Sequence, residues 1–151
     1  MTIETKKKLY KLCLDFIENK IDGEMLAMNA AQDAANSEDK NSAGDKHETG
    51  RAMAQLEKEK YAKQIAVSYE LKKVLYQINV EKLYNEVVPG SIVTTNYGIF
   101  FIAINVGNLI LEGNTYTTIS LASPLGKELF KKKAKDSFLF RNIKYEVQFV
   151  I

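Results

Sequence analysis

The stretch Asn36-Ser-Glu-Asp-Lys-Asn-Ser-Ala-Gly-Asp-Lys-His-Glu-Thr49 decides the fold, because it is a polar hinge between two long helix-forming segments. Its Gly and Asn residues predict a turn, and hence a helical hairpin with this stretch at its tip. Asp45 and Glu48 are three residues apart, so the start of a helix would turn both carboxylates to one side. Such a pair suits a hard cation such as Mg²⁺. We therefore expect a protein that works inside the active site of another molecule.

Apolar residues at helical spacing predict helices on both sides of the hinge. The first runs from Ile3 to about Ala35, and the second from about Glu48 to Ile78. Asp22-Gly23 predicts a kink or a short break in the first helix. The expected contact stripes are Leu9, Leu12, Phe16, Ile21, Met25 and Met28 on the first helix, and Met53, Leu56, Ile65, Leu71, Leu75 and Ile78 on the second. Residues 1–78 are therefore predicted to form an antiparallel two-helix coiled coil.

The composition changes near Asn79, and β-branched and aromatic residues predict strands in the remainder. The expected strands are Ser91–Asn96, Gly98–Asn105, Thr115–Leu121 and Tyr145–Ile151, with turns at residues 96–98 and at Gly113-Asn114. Ser123 and Pro124 predict the cap and first position of a short helix, residues 125–132. The fold class is thus α+β, with an antiparallel sheet and one short helix in a second domain, residues 79–151.

Composition narrows the functional classes. The net charge of +2 is too small for a protein that coats nucleic acid. The single cysteine, Cys13, lies in a helical apolar pattern and is expected to be a buried structural thiol in a reducing compartment. One Cys and one His do not supply a zinc site. No stretch approaches the ~20 apolar residues of a membrane span, so we expect a cytoplasmic protein with no membrane partner.

Each candidate group also has a simpler interpretation. The hinge acids Glu38, Asp39, Asp45 and Glu48 are compatible with a solvated loop. His47 is compatible with an exposed residue that has no role in the site. The run at Lys131, Lys132, Lys133 and Lys135 is compatible either with binding of phosphates or an acidic protein surface, or with a solvated helix end, and the run at residues 6–8 is treated in the same way. Nucleotide-binding loops and nucleophile motifs are absent from the sequence. An enzyme acting by itself is therefore poorly supported.

The order of these segments resembles the bacterial Gre transcript-cleavage factors, a two-helix coiled coil followed by an FKBP-like domain. The best match is Ser123-Pro-Leu-Gly-Lys-Glu-Leu-Phe130 with Lys132 and Asp136, which is similar to the family's Ser-Pro-Ile/Leu-Ala segment and the Gly-Asp after it. The last strand, Tyr145–Ile151, also fits the family. Gly44-Asp45-Lys46-His47-Glu48 is similar to its Gly-Asp-Leu-x-Glu tip.

The resemblance implies a transcription elongation factor whose hairpin enters the secondary channel of bacterial RNA polymerase. Asp45 and Glu48 would act there in trans, near the nascent RNA 3′ end. They would help to hold the second catalytic Mg²⁺, which is shared with the polymerase, while the polymerase cuts its own backtracked RNA. No cofactor is implied for the isolated chain. Ser123 and Pro124 match a family contact region on the channel rim.

The sequence departs from the family at several positions. Lys46 replaces a leucine between the acids, Lys131 and Lys135 replace glycines, the hinge is longer, and the loop after Tyr97 is shorter. One alternative is therefore a Gre-like channel regulator that inhibits the polymerase. Two others are an FKBP-like isomerase or peptide-binding module, disfavoured by the absence of Trp, and a plain coiled-coil adaptor.

Overall fold

The computed structural model describes the backbone of residues 1–40 and 45–151, and the side chains of residues 1–37 and 48–151. The chain is α+β, as the sequence predicts: two long helices precede a six-stranded sheet with one short helix. The helices are α1 (Ile3–Lys40), α2 (Asp45–Tyr76) and α3 (Pro124–Leu129). The strands are β1 (Ile92–Thr95), β2 (Gly98–Ile102), β3 (Gly107–Leu111), β4 (Asn114–Ile119), β5 (Ser137–Phe140) and β6 (Ile143–Val150).

Helix α1 is continuous, so the predicted short break at Asp22-Gly23 is wrong, whereas the alternative of a kink there stays a prediction. Glycine costs helix stability without stopping a helix, and no atom lies within 4 Å of a Cβ placed on Gly23. The hinge is also shorter than predicted, because α1 extends to Lys40 and α2 begins at Asp45. Ser, Glu, Asp and Lys are polar but are not strong helix breakers. The polar composition of the hinge therefore predicted a turn that was too long.

The chain divides into two compact units, Ile17–Lys72 and the combination of Met1–Phe16 with Lys73–Ile151. The division of the chain into domains 1–78 and 79–151 stays a prediction. In the unit Ile17–Lys72, Glu18 pairs with Lys72 at 3.4 Å and Glu24 pairs with Ser68 at 2.7 Å. Residues further along α1 thus contact residues that are earlier in α2. This part of the chain is an antiparallel helical hairpin.

The hairpin has a seam in which less exposed positions alternate at spacings of three and four residues. On α1 these are Ile17, Ile21, Glu24, Met28, Ala31 and Ala35, and on α2 they are Ala54, Lys58, Tyr61, Ile65, Ser68 and Lys72. This spacing is that of a coiled coil. Part of the predicted stripe is wrong, since Met53 and Leu56 are each 65% exposed. Leu12, Phe16 and Met25 are also exposed, whereas the predicted Leu9, Ile21, Leu75 and Ile78 are buried.

The unit formed by residues 1–16 and 73–151 contains the sheet, in the strand order β3-β4-β2-β1-β6-β5. The sheet is mixed, which corrects the prediction of an antiparallel sheet. Strands β2 and β4 run parallel, with Ile99 opposite Tyr116 and Ile102 opposite Ile119. The other neighbouring pairs are antiparallel, and β1 and β6 change register between Thr94 and Thr95. A parallel pair needs a crossover connection, and here β3 lies within it and forms the edge of the sheet.

Strands β3 and β5 were not predicted. The turns predicted at residues 96–98 and 113–114 do lie between strands, but Gly98 and Asn114 already belong to β2 and β4. One side of the sheet carries a compact hydrophobic core, against which α3 places Leu129. The buried members of this core are Val87, Val93, Phe100, Ile102, Leu129, Val147 and Val150.

Cys13 is buried, as predicted, and burial raises the pKa of its thiol to about 12. It is therefore a structural residue.

Candidate functional site

The candidate acidic site lies at the start of α2. Asp45 is the first residue of this helix and Glu48 is three residues later, so the helical spacing predicted from the sequence is present. The Glu48 side chain is exposed. The side chain of Asp45 lies outside the described residues, as do those of Glu38, Asp39, Lys46 and His47. Glu48 is thus the candidate ligand whose surroundings the structure describes, and an exposed carboxylate is a suitable ligand for a hard cation.

Glu48 borders a cavity of about 420 Å³ between the two arms of the hairpin. The lining residues are Gln32 and Ala35 on α1, and Glu48, Arg51, Ala52 and Gln55 on α2. The small alanines leave the space open, while the amides and the guanidinium make its lining polar. The exposed Glu48 carboxylate thus shares this lining with the Arg51 guanidinium.

Further along the hairpin, the seam contains a buried polar contact. The Ser68 hydroxyl donates to Glu24 Oε1 at 2.7 Å, and Lys20 Nζ donates to the same oxygen at 2.9 Å. Ser68 is fully buried and Glu24 is 8% exposed. Glu24 Oε2 is also buried and has no hydrogen-bond partner among the described residues. Because a buried polar pair is satisfied only with its own partner opposite, this contact favours one register of the two helices. Sequence periodicity alone did not indicate it.

Ser123 and Pro124 form the start of α3, as predicted. The Ser123 Oγ accepts a hydrogen bond from the Gly126 N–H at 3.1 Å and donates one to the Ser120 carbonyl at 2.6 Å. Pro124 is exposed at the first helical position. Gly126 is needed for this geometry, because a Cβ there would lie 2.0 Å from the Ser120 oxygen. The Ser123 hydroxyl therefore shapes the loop, and Pro124 is its exposed member.

The lysine run at residues 6–8 is not a uniform solvated patch. Lys6 is fully buried, its Nζ donates to the Lys82 carbonyl at 2.5 Å, and it lies 4.4 Å from the centre of the Tyr84 ring. Burial lowers the pKa of Lys6 to about 8. Lys7 and Lys8 pair with Glu81 and Glu112 at 3.1 and 2.6 Å. The whole run is thus engaged in contacts within its own unit.

The exposed ion pair between Lys8 and Glu112 shifts the pKa values of both residues. Their hydrogen bond, and then their mutual charge, raise the pKa of Lys8 and lower that of Glu112.

The second lysine run, residues 131–135, differs from the run at residues 6–8. Lys131, Lys133 and Lys135 are exposed, and none of them forms an ion pair within the part of the chain that the structure describes.

No family model, curated protein or solved structure matches this chain. In the described ranges, 1–40 and 45–151, none of the helices has the length and apolar character needed to cross a membrane. Among the side chains described, no three of the types His, Cys, Asp and Glu group together as a metal site.

Proposed function

We propose that this protein is a Gre-type transcription elongation factor that stimulates transcript cleavage by bacterial RNA polymerase. The observation that carries the proposal is the helical hairpin whose second helix starts with Asp45 and presents an exposed Glu48 three residues later. The unbroken helices add support, because ~24 helical residues on the α1 side of the hairpin unit rise about 36 Å. This is long enough to place an acidic tip deep in a channel.

The role of the chain in the reaction is that of a ligand donor. When bound, the polymerase's second Mg²⁺ would supply Lewis-acid chemistry for the cleavage. Asp45 and Glu48 would help to hold that cation through their carboxylate oxygens. Glu48 is exposed at the border of the cavity, so its carboxylate is accessible to a partner. In this proposal the polymerase cuts the RNA and the chain contributes ligands to the cation, so the chain would not be an enzyme by itself.

The sheet-containing unit is proposed to bind the rim of the secondary channel. The loop at Ser123 and Pro124 is the expected contact, and the bonds of Ser123 to Ser120 and Gly126 make it rigid. A preformed loop loses little conformational entropy on binding. The cytoplasm is the compartment that this proposal requires, since that is where bacterial RNA polymerase and its nascent RNA are found.

A second candidate is a Gre-like factor that enters the same channel and inhibits the polymerase. Lys46 favours it, because a cation next to Asp45 competes with Mg²⁺ for the carboxylates. Such a factor would act by occupying the channel. Its effect would then depend on the hairpin and hardly at all on the two acids.

The two candidates are separated in a purified elongation complex that has been deliberately backtracked. Wild type is compared with Asp45→Ala/Glu48→Ala and with Glu57→Ala/Glu59→Ala, which removes the same charge from a later part of α2. We expect wild type and the second variant to shorten the RNA, and the tip variant to bind without cleavage. Slower elongation by all three proteins, with no shortening, would instead establish the inhibitor.

A further inference from the structure

Residues 127–135, Lys-Glu-Leu-Phe-Lys-Lys-Lys-Ala-Lys, form a segment that we call the lysine strap. It has five lysines and one acid, a net charge of +4 in nine residues. The whole segment 121–151 has seven basic and three acidic residues, whereas residues 1–120 have 14 and 16. The positive charge of this nearly neutral protein is therefore concentrated at one place in the sheet-containing unit, a distribution that indicates an anionic partner.

Backbone hydrogen bonds hold the strap on both sides. The Lys131 N–H donates to the Val87 carbonyl at 2.8 Å, and the Val87 N–H donates to the Lys132 carbonyl at 2.9 Å. At the other end, the Lys135 N–H donates to the Val147 carbonyl at 2.7 Å. Val87 and Val147 both belong to the hydrophobic core. The exposed lysines thus extend from a backbone that is fixed to the core.

Two of the lysines occupy positions where the backbone favours glycine. Lys131 has φ +63° and Lys135 has φ +77°, both in the left-handed region. A residue with a Cβ is strained there, and Gly or Asn is the usual choice. The folded backbone therefore gains nothing from lysine at either position. Strain that is retained in this way is a reason to look for a function of the side chain.

The lysine charges are also uncompensated within the described residues. Lys127, Lys131, Lys133 and Lys135 are exposed, and none has an ion pair there. The nearby Asp136 carboxylate accepts a hydrogen bond from the Lys133 backbone N–H at 2.7 Å, so it supports the turn. Like charges held together repel one another, and binding of an acidic surface relieves that repulsion.

We propose that the lysine strap is an electrostatic docking surface for an acidic face of a protein partner. The inference rests on the proposed function, in which that partner is bacterial RNA polymerase. Helix α3 starts at the Ser123-Pro124 loop, contains the first three strap residues, 127–129, and ends before Phe130. The strap therefore continues the surface on which the loop contact is expected, and it adds the charge that the loop lacks.

An acidic protein face fits the strap better than a nucleic acid does. Phe130 is 42% exposed among the lysines, and Lys131 Nζ lies 5.6 Å from the centre of its ring. An aromatic anchor with a charged rim is typical of protein interfaces. A ring with an ammonium group over its face is a poor platform for base stacking. The strap also contains no arginine, the residue best shaped for bidentate phosphate binding.

The test uses variants in which lysine is replaced by glycine. Relief of backbone strain should raise the melting temperature, while loss of charge should weaken binding to the partner. Lys131→Gly/Lys135→Gly removes two charges at left-handed positions. Arg141→Gly/Lys144→Ala is the matched control, since Arg141 has φ +51° and lies outside the strap. We expect both variants to melt at a higher temperature than wild type. We expect only the strap variant to bind purified core RNA polymerase more weakly, by about tenfold at low salt, with the difference shrinking in high salt.

A third variant, Lys127→Ala/Lys133→Ala, leaves the left-handed positions unchanged and should weaken binding in the same salt-dependent way. The inference is overturned if the strap variants bind polymerase as tightly as wild type does. Strap-dependent binding to a 30-base-pair DNA duplex that is tighter than binding to polymerase would also overturn it. Strap-dependent polymerase binding without transcript cleavage would uphold the docking surface and reject the proposed cleavage function. A wild-type protein that does not bind polymerase would reject both.

Discussion

Ser68 donates a 2.7 Å hydrogen bond to Glu24 in the seam of the helical hairpin, where apolar side chains would be the ordinary choice. The contact joins α1 and α2 at positions that are almost completely buried. Because the hydroxyl and carboxylate satisfy each other only when these residues are opposite, the pair favours a single alignment of the arms. That alignment in turn determines which α1 residues stand beside Glu48 at the start of α2.

Removing one member of this pair should destabilise the protein more than replacing both. Ser68→Ala leaves the buried Glu24 carboxylate without its hydroxyl donor, and we expect the free energy of unfolding to fall by about 1–3 kcal/mol. Glu24→Leu/Ser68→Ala replaces the pair with apolar groups and should be at least as stable as wild type. Urea denaturation of the three proteins measures both effects. A double variant less stable than Ser68→Ala alone would show that the pair has a different energetic role.

Lys6 should make stability depend on pH in the alkaline range. Its folded-state pKa is lowered to about 8, below the ordinary value of 10.5, by burial. The unfolded chain then binds more protons than the folded chain between these two values, so the contribution of Lys6 to stability rises as pH rises from about 8 to 10.5. Lys6→Met should remove this rise.

Thermal melting of wild type and Lys6→Met across that pH range gives the difference due to Lys6, because the other titrating groups are shared. Lys7→Met is a control, since Lys7 lies next to Lys6 in sequence and pairs with Glu81 at the surface. If the difference in melting temperature between wild type and Lys6→Met stays constant with pH, the Lys6 ammonium is not desolvated in the folded protein.

Two glycines in helices should respond to alanine in opposite ways. Gly126→Ala brings a Cβ to within 2.0 Å of the Ser120 carbonyl oxygen, and we expect a loss of about 1–3 kcal/mol. Gly23→Ala meets no atom within 4 Å and lies inside α1, so it should gain about 0.5–1 kcal/mol. Thermal or urea unfolding of the two variants tests this. Equal effects of the same sign would contradict the packing described around α3.

Sequence reasoning predicted the elements whose signals are local. The Ser123 cap, Pro124 and the turns predicted at residues 96–98 and 113–114 all depend on backbone preferences of neighbouring residues. The phase of the hairpin seam was predicted less well. Met53 and Leu56 are the larger hydrophobic residues, yet the smaller Ala54 lies in the seam. Close approach of two helices favours small side chains, and this depends on the partner helix.

The other differences also have non-local causes. Strand β3 is defined by its pairing with β4, and its Ile110 is 76% exposed, so no buried apolar pattern marks it. The burial of Lys6 depends on the carbonyl of Lys82, 76 residues away. The left-handed backbone at Lys131 and Lys135 explains why glycine suits these positions, although lysine gives no sign of it in the sequence. Asp45 and Glu48 were chosen from their spacing and from the resemblance of the hairpin tip, and their role stays a prediction.

The most direct test of the proposed function is the Mg²⁺ dependence of transcript cleavage in a backtracked elongation complex. Wild type is compared with Glu48→Gln and Asp45→Asn, which keep side-chain size and remove the charge that holds the cation. We predict that wild type gives half-maximal cleavage at low Mg²⁺, and that each variant needs at least tenfold more, roughly the effect of losing one charged ligand, at unchanged polymerase binding. Identical Mg²⁺ curves for wild type and both variants would contradict the proposal that these carboxylates hold the catalytic cation.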